Sequence, residues 1–318
     1  LVAQGHVLED MGWLLWPLAL VLHVITLRRV DGRAPRAWWS WVHTGGVWLI
    51  VLLGGNVLLW AVRQSQLQGT AWAAVILLVA SVVVLLGLAA RPLHHPASSW
   101  RQRWPLQDFA DAYLWRAAAP LALAVGSGAL LVAVHSDGNA RPLPYVPLLN
   151  PTDITVALAL AACALWRARL VQGTLVVPAA VCSPRWTWVL AGLGFVAFNT
   201  VWLRAVHHWA GVPWNAHALF DSFLVQAGYS ILWSLLALGL MLWAVRRAAR
   251  SVWMGGAGLL GLVVLKLFVV DLSNRGGSER IVAFIAVGVL MLVVGYFAPL
   301  PPATPPVRGE PEPEQENA

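Results

Sequence analysis

Long apolar runs alternate with short polar segments from residue 11 to residue 299. A hydrocarbon core of about 30 Å needs roughly 20 helical residues to cross it, and most of these runs reach that length. The pattern therefore predicts an all-α fold, a polytopic integral membrane helix bundle of about nine transmembrane helices over 1–300. We expect the spans near 11–27, 41–62, 70–90, 113–134, 153–166, 187–206, 218–244, 252–270 and 281–299.

The fifth predicted span is short, because Arg167 and Arg169 interrupt the apolar run. The next apolar stretch, 174–181, contains Pro178 and is too short to cross, so we expect it at the interface or as a shallow re-entrant piece. Residues 100–115 mix tryptophan with charged residues and predict an interfacial helix that leads into the fourth span.

Local signals support one helix start in particular. Asn150, Pro151 and Asp153 place an N-cap, a proline at the first helical position and an acid in the first turn. At the other end of the chain, the Pro/Glu-rich residues 301–318 predict a disordered tail.

Composition agrees with a membrane protein. The 318 residues are 59% hydrophobic and only 11% charged, with a mean hydropathy of +0.70, which leaves too little polar surface for a soluble globule of this size. The net charge of +7 comes from arginines in short clusters, so it does not predict a nucleic-acid partner. The start at Leu1 has no signal-peptide pattern, and we expect an upstream part of the same chain.

Two cysteines, Cys163 and Cys182, are too few for a disulfide framework and have no His or Cys neighbours at zinc spacing. The sequence also contains no His-Glu-x-x-His motif and no glycine-rich phosphate loop within the spans, and we expect neither a metal nor a cofactor.

Orientation follows from the arginines, because cytoplasmic loops retain positive charge. Under the nine-span assignment, fifteen arginines fall on one side and five on the other. We therefore expect the start of this chain outside the membrane, the loop 207–215 outside, the cluster 246–250 inside and the C-terminus in the cytoplasm.

Particular segments resemble a known family. They are Pro142 to Pro151, His207 to Pro213, Lys266 to Leu272, Arg280 to Phe284 and Gly295 to Pro301. These segments are similar to the C-terminal part of a bacterial predicted membrane protein family catalogued as domain of unknown function 2339, with the resemblance strongest over about 90–301. It implies a many-helix inner-membrane protein whose full chain extends upstream, and it implies no particular activity.

The ends of spans six and seven carry the densest polar cluster. Arg204 and His208 lie four residues apart, as do His217 and Asp221, so each pair shares a helix face, and His207 lies beside the first pair. Such a cluster is able to bind an anionic head group or relay protons, and a solvated interfacial role is an equally simple interpretation.

Polar residues also enter the seventh and eighth spans. Ser222, Gln226 and Tyr229 follow a helical stripe, which predicts interhelical hydrogen bonds or a wet cavity. Lys266 is the single lysine and lies about one turn before Asp271. It either extends toward the interface or points inward and pairs with Asp221, Asp271 or a bound anion.

Three functional hypotheses remain at this point. The first is a cell-envelope protein whose periplasm-facing pocket handles a lipid-linked or anionic molecule, with membrane lipids as further partners. The second is a transporter or channel, which predicts a continuous wet path that includes Gln226 and Lys266. The third is a non-catalytic scaffold, and the sequence does not decide whether the protein is an enzyme.

Overall fold

The computed structural model describes residues 6–31, 36–90, 104–173 and 175–271, with a few isolated helical positions between 285 and 296. Within these ranges the regular structure is helical. The helices are α1 Gly12–Val30, α2 Arg36–Gln64, α3 Ala71–Ala89, α4 Leu106–Asp111, α5 Ala118–His135, α6 Pro151–Val171, α7 Ala179–Cys182, α8 Arg185–Ala210, α9 Ala216–Asp221, α10 Phe223–Arg247 and α11 Arg250–Lys266. Two π-helical segments, Ala112–Ala117 and Leu267–Asp271, follow α4 and α11 directly.

The described residues contain eight helices that are long and apolar enough to cross a membrane. They are Gly12–Val30, Arg36–Gln64, Ala71–Ala89, Asp108–His135, Pro151–Val171, Arg185–Ala210, Phe223–Arg247 and Arg250–Val269. The fold class predicted from the sequence is confirmed, and these helices correspond to the first eight predicted spans. The ninth, 281–299, and the tail 301–318 lie outside the described residues, apart from those isolated positions.

Two predicted boundaries differ from the structure. The fifth span is a full 21-residue helix, because α6 continues through Arg167 and Arg169 to Val171. Arg169 is buried, and its Nη1 donates to the carbonyls of Leu88 and Ala90 at the end of α3, at 2.6 and 2.8 Å. This contact satisfies terminal carbonyls of α3 and keeps the charge out of lipid.

The seventh span begins later than predicted. The short helix α9 ends at Asp221, and Ser222 then has extended backbone and caps α10, with its Oγ accepting from the Val225 N–H at 3.5 Å. Ser222 therefore starts the helix instead of lying on its stripe. In the stretch after α6, residues 175–178 have no regular secondary structure and lead into the four-residue α7, which is too short to cross a membrane, as expected.

By internal contacts the chain divides into two compact units, residues 1–214 and 215–318. In the first unit, α2, α3, α5 and α6 pack around a core that includes Leu85, Leu121 and Val125. Small residues such as Ala159 and Ala162 are fully buried there. Small side chains let membrane helices approach closely, since lipid supplies no hydrophobic drive between them.

The second unit is built on the hairpin of α10 and α11. Ala237, Met241 and Leu260 are its buried core. A Cβ added at Gly256 would lie only 2.9 Å from the carbonyl oxygen of Ala237, so glycine is required for this approach.

Candidate functional site

Arg204, near the end of α8, is fully buried, with 0% of its surface exposed. Its Nε and Nη2 donate to Oδ1 of Asp153 at 3.0 and 2.6 Å. Nη2 also donates to Thr200 Oγ1 at 2.9 Å, while Nη1 donates to the carbonyls of Ala133 and Ser136 at 2.8 and 3.3 Å. These bonds engage all three nitrogens and match the five N–H groups of a guanidinium. An anion would therefore have to displace existing partners to reach Arg204.

The second oxygen of the Asp153 carboxylate holds the end of the loop 136–150. Oδ2 accepts from the backbone N–H of Leu148 at 3.0 Å and from Nδ2 of Asn150 at 2.5 Å. Asn150 caps α6 as predicted, because its Oδ1 accepts from the Asp153 N–H at 3.0 Å. One buried carboxylate thus joins the loop to Arg204.

The start of the same loop is fixed by small residues. Ser136 Oγ lies 2.9 Å from Thr152 Oγ1 and accepts from the Gly138 N–H at 3.2 Å. Gly138 has a φ of +77°, and a Cβ there would lie 2.6 Å from Cδ of Arg204. Glycine alone combines this backbone conformation with such a close approach.

Tyr145, in the middle of the loop, stacks on His208 with ring centroids 4.1 Å apart. Its hydroxyl is buried and has no hydrogen-bond partner among the described residues. Burial raises the pKa of the Tyr145 hydroxyl above its ordinary value, and the charge of Asp153 raises it further. Tyr145 is therefore neutral at physiological pH.

His207 and His208 each bond to a backbone carbonyl. His207 Nδ1 lies 2.7 Å from the oxygen of Val212, and His208 Nε2 lies 2.9 Å from the oxygen of Asp137. Because a carbonyl only accepts, these nitrogens carry the protons. The opposite nitrogen of each ring is then an acceptor. Arg204 and His208 share a helix face as predicted, but their hydrogen bonds go to different partners.

In the second unit, His217 and Asp221 pair on the short helix α9. His217 Nδ1 lies 2.7 Å from Asp221 Oδ2, and both side chains are exposed. An exposed pair of this kind contributes roughly 0–1 kcal/mol. The predicted grouping of this pair with Arg204 and the two histidines of α8 stays a prediction, because the two sets belong to separate units.

Lys266, at the end of α11, is bonded to α10 inside the hairpin. Its Nζ donates to the carbonyl of Gln226 at 2.8 Å and to Ser230 Oγ at 2.9 Å. The side chain of Gln226 donates to the carbonyl of Phe220 at 2.8 Å. The structure thus joins two predicted site residues, Gln226 and Lys266, through a backbone carbonyl. Asp271 ends the π segment that follows, and its side chain lies outside the described part of the chain.

Sequence reasoning missed a buried network at the arginine-rich end of the first unit, where α1 ends and α2 begins. His43 on α2 is 1% exposed, with Nδ1 2.8 Å from the hydroxyl of Tyr113 and Nε2 3.3 Å from Asp31 Oδ1. Trp104 Nε1 donates to the other oxygen of Asp31, and the ring of Phe109 stacks on His43 at 4.1 Å. The sequence signal for this network was the position of His43 inside an apolar run.

Each π-helical segment adjoins a polar group inside a spanning helix. Tyr113 lies within the first segment, and Lys266 immediately precedes the second. π-helical turns are rare and occur frequently at functional sites. Over the described ranges, the side chains of His, Cys, Asp and Glu form no group of three that could hold a metal ion.

Comparison with known proteins gives one match. Residues 1–301 match the family described as "Predicted membrane protein (DUF2339)", whereas no curated protein and no solved structure matches the chain. The matched range includes all eight spanning helices and both polar networks, and it extends the resemblance to the start of the chain. The chain is a multi-pass membrane protein and belongs to the DUF2339 family.

Proposed function

We propose that this chain is an inner-membrane protein of the bacterial cell envelope that handles a lipid-linked or other anionic envelope molecule on its periplasmic side. The observation that supports the proposal is the loop 136–150, which is clamped by Arg204 and Asp153 and still exposes an apolar surface. The ligand then rests on the outward face of the loop, and Arg204 holds that face in place.

The exposed side chains of the loop are large and aliphatic. Leu148 and Leu149 are 65% and 72% exposed, and Leu143 and Val146 are exposed as well. Such a surface is unfavourable in water and favourable against acyl or prenyl chains. Because the loop is bonded at both ends, it presents this surface in one conformation. That pre-organisation lowers the entropic cost of binding.

Polar groups able to meet a head group lie beside this apolar surface. His207 and His208 each keep one ring nitrogen without a hydrogen-bond partner among the described residues. A neutral imidazole accepts a hydrogen bond from a hydroxyl, and a protonated one pairs with phosphate. An apolar surface next to two imidazoles fits an amphiphile with a phosphate or sugar head group.

Side-specific labelling tests the orientation that the proposal requires. In a variant with Cys163 and Cys182 replaced by alanine, Asn215→Cys should react with a membrane-impermeant thiol reagent that reaches the periplasm. Arg247→Cys should react only after the inner membrane is opened, because the arginine-rich side is expected to be cytoplasmic. The reverse pattern would contradict a periplasmic ligand site.

Photocrosslinking in the full-length protein tests the site itself. A photoreactive amino acid replaces Leu149, and radiolabelled polyprenyl phosphate is the probe. Leu123, which is similarly exposed but lies in the middle of a spanning helix, is the matched control position. We expect labelling at Leu149 to saturate and to fall with excess unlabelled probe, while labelling at Leu123 does neither. Non-saturable labelling at both positions would reject the proposal.

One observation favours transport as a second candidate. A line of hydroxyls follows α10 beside Lys266: Ser230 Oγ donates to the Gln226 carbonyl at 3.2 Å, and Ser234 Oγ donates to the Ser230 carbonyl at 2.7 Å. A transport path requires water along this line. Ser234→Cys should then react with a small hydrophilic thiol reagent in native membranes, and lack of reaction would argue against this candidate.

A further inference from the structure

A cavity of about 460 Å³ lies at the arginine-rich end of the first unit. Its charged lining residues are Arg36, Asp108, Asp111 and Arg116, and its apolar lining residues include Phe109 and Leu175. The volume falls within the range of small-molecule sites, about 300–1,000 Å³. None of the residues of the loop 136–150 lines this cavity.

The two guanidiniums that line the cavity have spare donors. Arg36 uses Nη2 to donate to the backbone carbonyl of Asp108. Arg116 pairs through Nε with Oδ2 of Asp111 at 2.7 Å, and its guanidinium lies over the ring of Trp41. Among the described residues, the other N–H groups of both side chains have no hydrogen-bond partner. A guanidinium with spare N–H groups is a strong phosphate ligand.

The remaining charges determine which phosphate compound fits. Asp111 is paired with Arg116, whereas Asp108 is exposed and has no ion-pair partner within the described ranges. Once that pair is set aside, Arg36 contributes one positive charge and Asp108 one negative charge. A purely anionic ligand would leave the Asp108 carboxylate unpaired and would be repelled by it. A zwitterion pairs with both Arg36 and Asp108.

The apolar wall of the cavity is held by the His43 network. Phe109 lines the cavity and has a non-helical backbone, with φ −122° and ψ 30°, inside α4. Its ring stacks on His43, which Asp31 and Tyr113 hold from either side. The wall is therefore fixed in position by groups that do not themselves line the cavity.

We propose that this cavity binds a phosphoethanolamine group. Arg36 and Arg116 donate to the phosphate, Asp108 accepts from the ammonium, and Phe109 with Leu175 contact the carbon atoms that follow. The cavity lies near the ends of the spans that begin at Arg36 and Asp108, which is the depth of lipid head groups. The same group occurs on phosphatidylethanolamine and on soluble phosphoethanolamine compounds, and the experiment separates these two sources.

Lipid retention by the full-length protein tests the proposal. The protein is reconstituted in nanodiscs with equal amounts of phosphatidylethanolamine and phosphatidylglycerol, and native mass spectrometry then measures the lipids that remain bound. We expect preferential retention of phosphatidylethanolamine. Arg36→Gln and Arg116→Gln should each lower it about tenfold, since a charged hydrogen bond is lost. Arg247→Gln changes an exposed arginine of the other unit and should have no effect.

Asp108→Asn separates a zwitterion site from a general phosphate site. This exposed substitution should leave folding intact, lower phosphatidylethanolamine retention and leave phosphatidylglycerol unchanged or higher. For the soluble source, calorimetry with O-phosphoethanolamine is run in nanodiscs of phosphatidylglycerol alone. Saturable binding that Arg36→Gln abolishes supports a soluble ligand, and retention of lipid without such binding supports a membrane lipid.

The proposal fails on two outcomes. One is equal retention of both lipids by the native chain together with no saturable binding of O-phosphoethanolamine. The other is a preference for phosphatidylethanolamine that persists unchanged in Arg36→Gln, Arg116→Gln and Asp108→Asn.

Discussion

Arg204 and Arg116, near opposite ends of the first unit, are held in opposite ways. At one end, Arg204 is wholly buried and donates to side chains and carbonyls of α5, α6 and α8 and the loop start. At the other end, the Arg116 side chain is 34% exposed and pairs with Asp111, only five residues earlier in the chain. A buried guanidinium must be fully bonded to be tolerated, and a partly exposed one need not be. The number of hydrogen-bond partners of an arginine, and not its presence alone, therefore indicates whether its N–H groups are available to a ligand.

The largest expected effect is at Arg204. Arg204→Met leaves the Asp153 carboxylate buried without its cation, which costs about 3–5 kcal/mol when one partner of a buried pair is removed. We expect a marked fall in thermal stability of the purified protein and in its level in membranes. Arg116→Met is the matched control and should cost less than about 1 kcal/mol. Equal losses in the two variants would abolish the distinction between the two ends.

Lys266 extends the comparison to a cation inside the second unit. Lys266→Met should leave membrane insertion intact but abolish the cellular phenotype of the full-length protein. Lys266→Arg should be only partly active, because a guanidinium is bulkier than an ammonium and does not fit between Gln226 and Ser230 in the same way. Complementation assays at matched protein levels measure both variants. Full activity of Lys266→Met would reduce this lysine to a packing residue.

His43 is expected to give an intermediate effect on stability. His43→Leu keeps the buried volume similar but removes the partner of the Tyr113 hydroxyl, at roughly 1–3 kcal/mol for an unsatisfied group, and leaves Asp31 with the Trp104 N–H. Thermal unfolding of the purified protein measures the loss. Because the substitution also removes the ring on which Phe109 stacks, Phe109 is no longer fixed in the cavity wall, and phosphatidylethanolamine retention should fall in parallel. A stability loss with unchanged retention would separate the network from the cavity.

Tyr145 should give the smallest change, and one of opposite sign. Tyr145→Phe removes a buried hydroxyl that has no partner among the described residues, so stability should stay equal or rise by up to about 1 kcal/mol. Photocrosslinking at Leu149 should stay unchanged, because the buried hydroxyl does not reach the outward face of the loop. A clear loss of stability would show that the hydroxyl has a partner in the folded protein.

The spanning helices were predictable because lipid imposes a simple length and composition rule. Of the two boundaries that differ from the prediction, the start of α10 depends on the local Ser222 cap and the end of α6 on a long-range contact. At the end of α6, Arg167 and Arg169 break the apolar run, yet Arg169 reaches carbonyls about 80 residues away on α3. No local pattern encodes such a contact.

The candidate site was predictable only in part, for the same reason. The Asn150 cap is local, and the sequence predicted it correctly. The pairing of Arg204 with Asp153 is not local, because the two residues lie 51 positions apart. The sequence therefore predicted Arg204 as a ligand-binding residue, whereas in the structure its N–H groups already bond to protein groups. His43 and Tyr113, 70 residues apart, were missed entirely.

A double-mutant cycle on the two ion pairs tests the contrast between the ends most directly. Unfolding free energies are measured for Arg204→Met, Asp153→Leu and the double variant, and for the matched set at Arg116 and Asp111. We predict a coupling energy of at least about 3 kcal/mol for the first pair, because the double variant removes both buried charges together, and below about 1 kcal/mol for the second. Equal coupling energies for the two pairs would contradict the account.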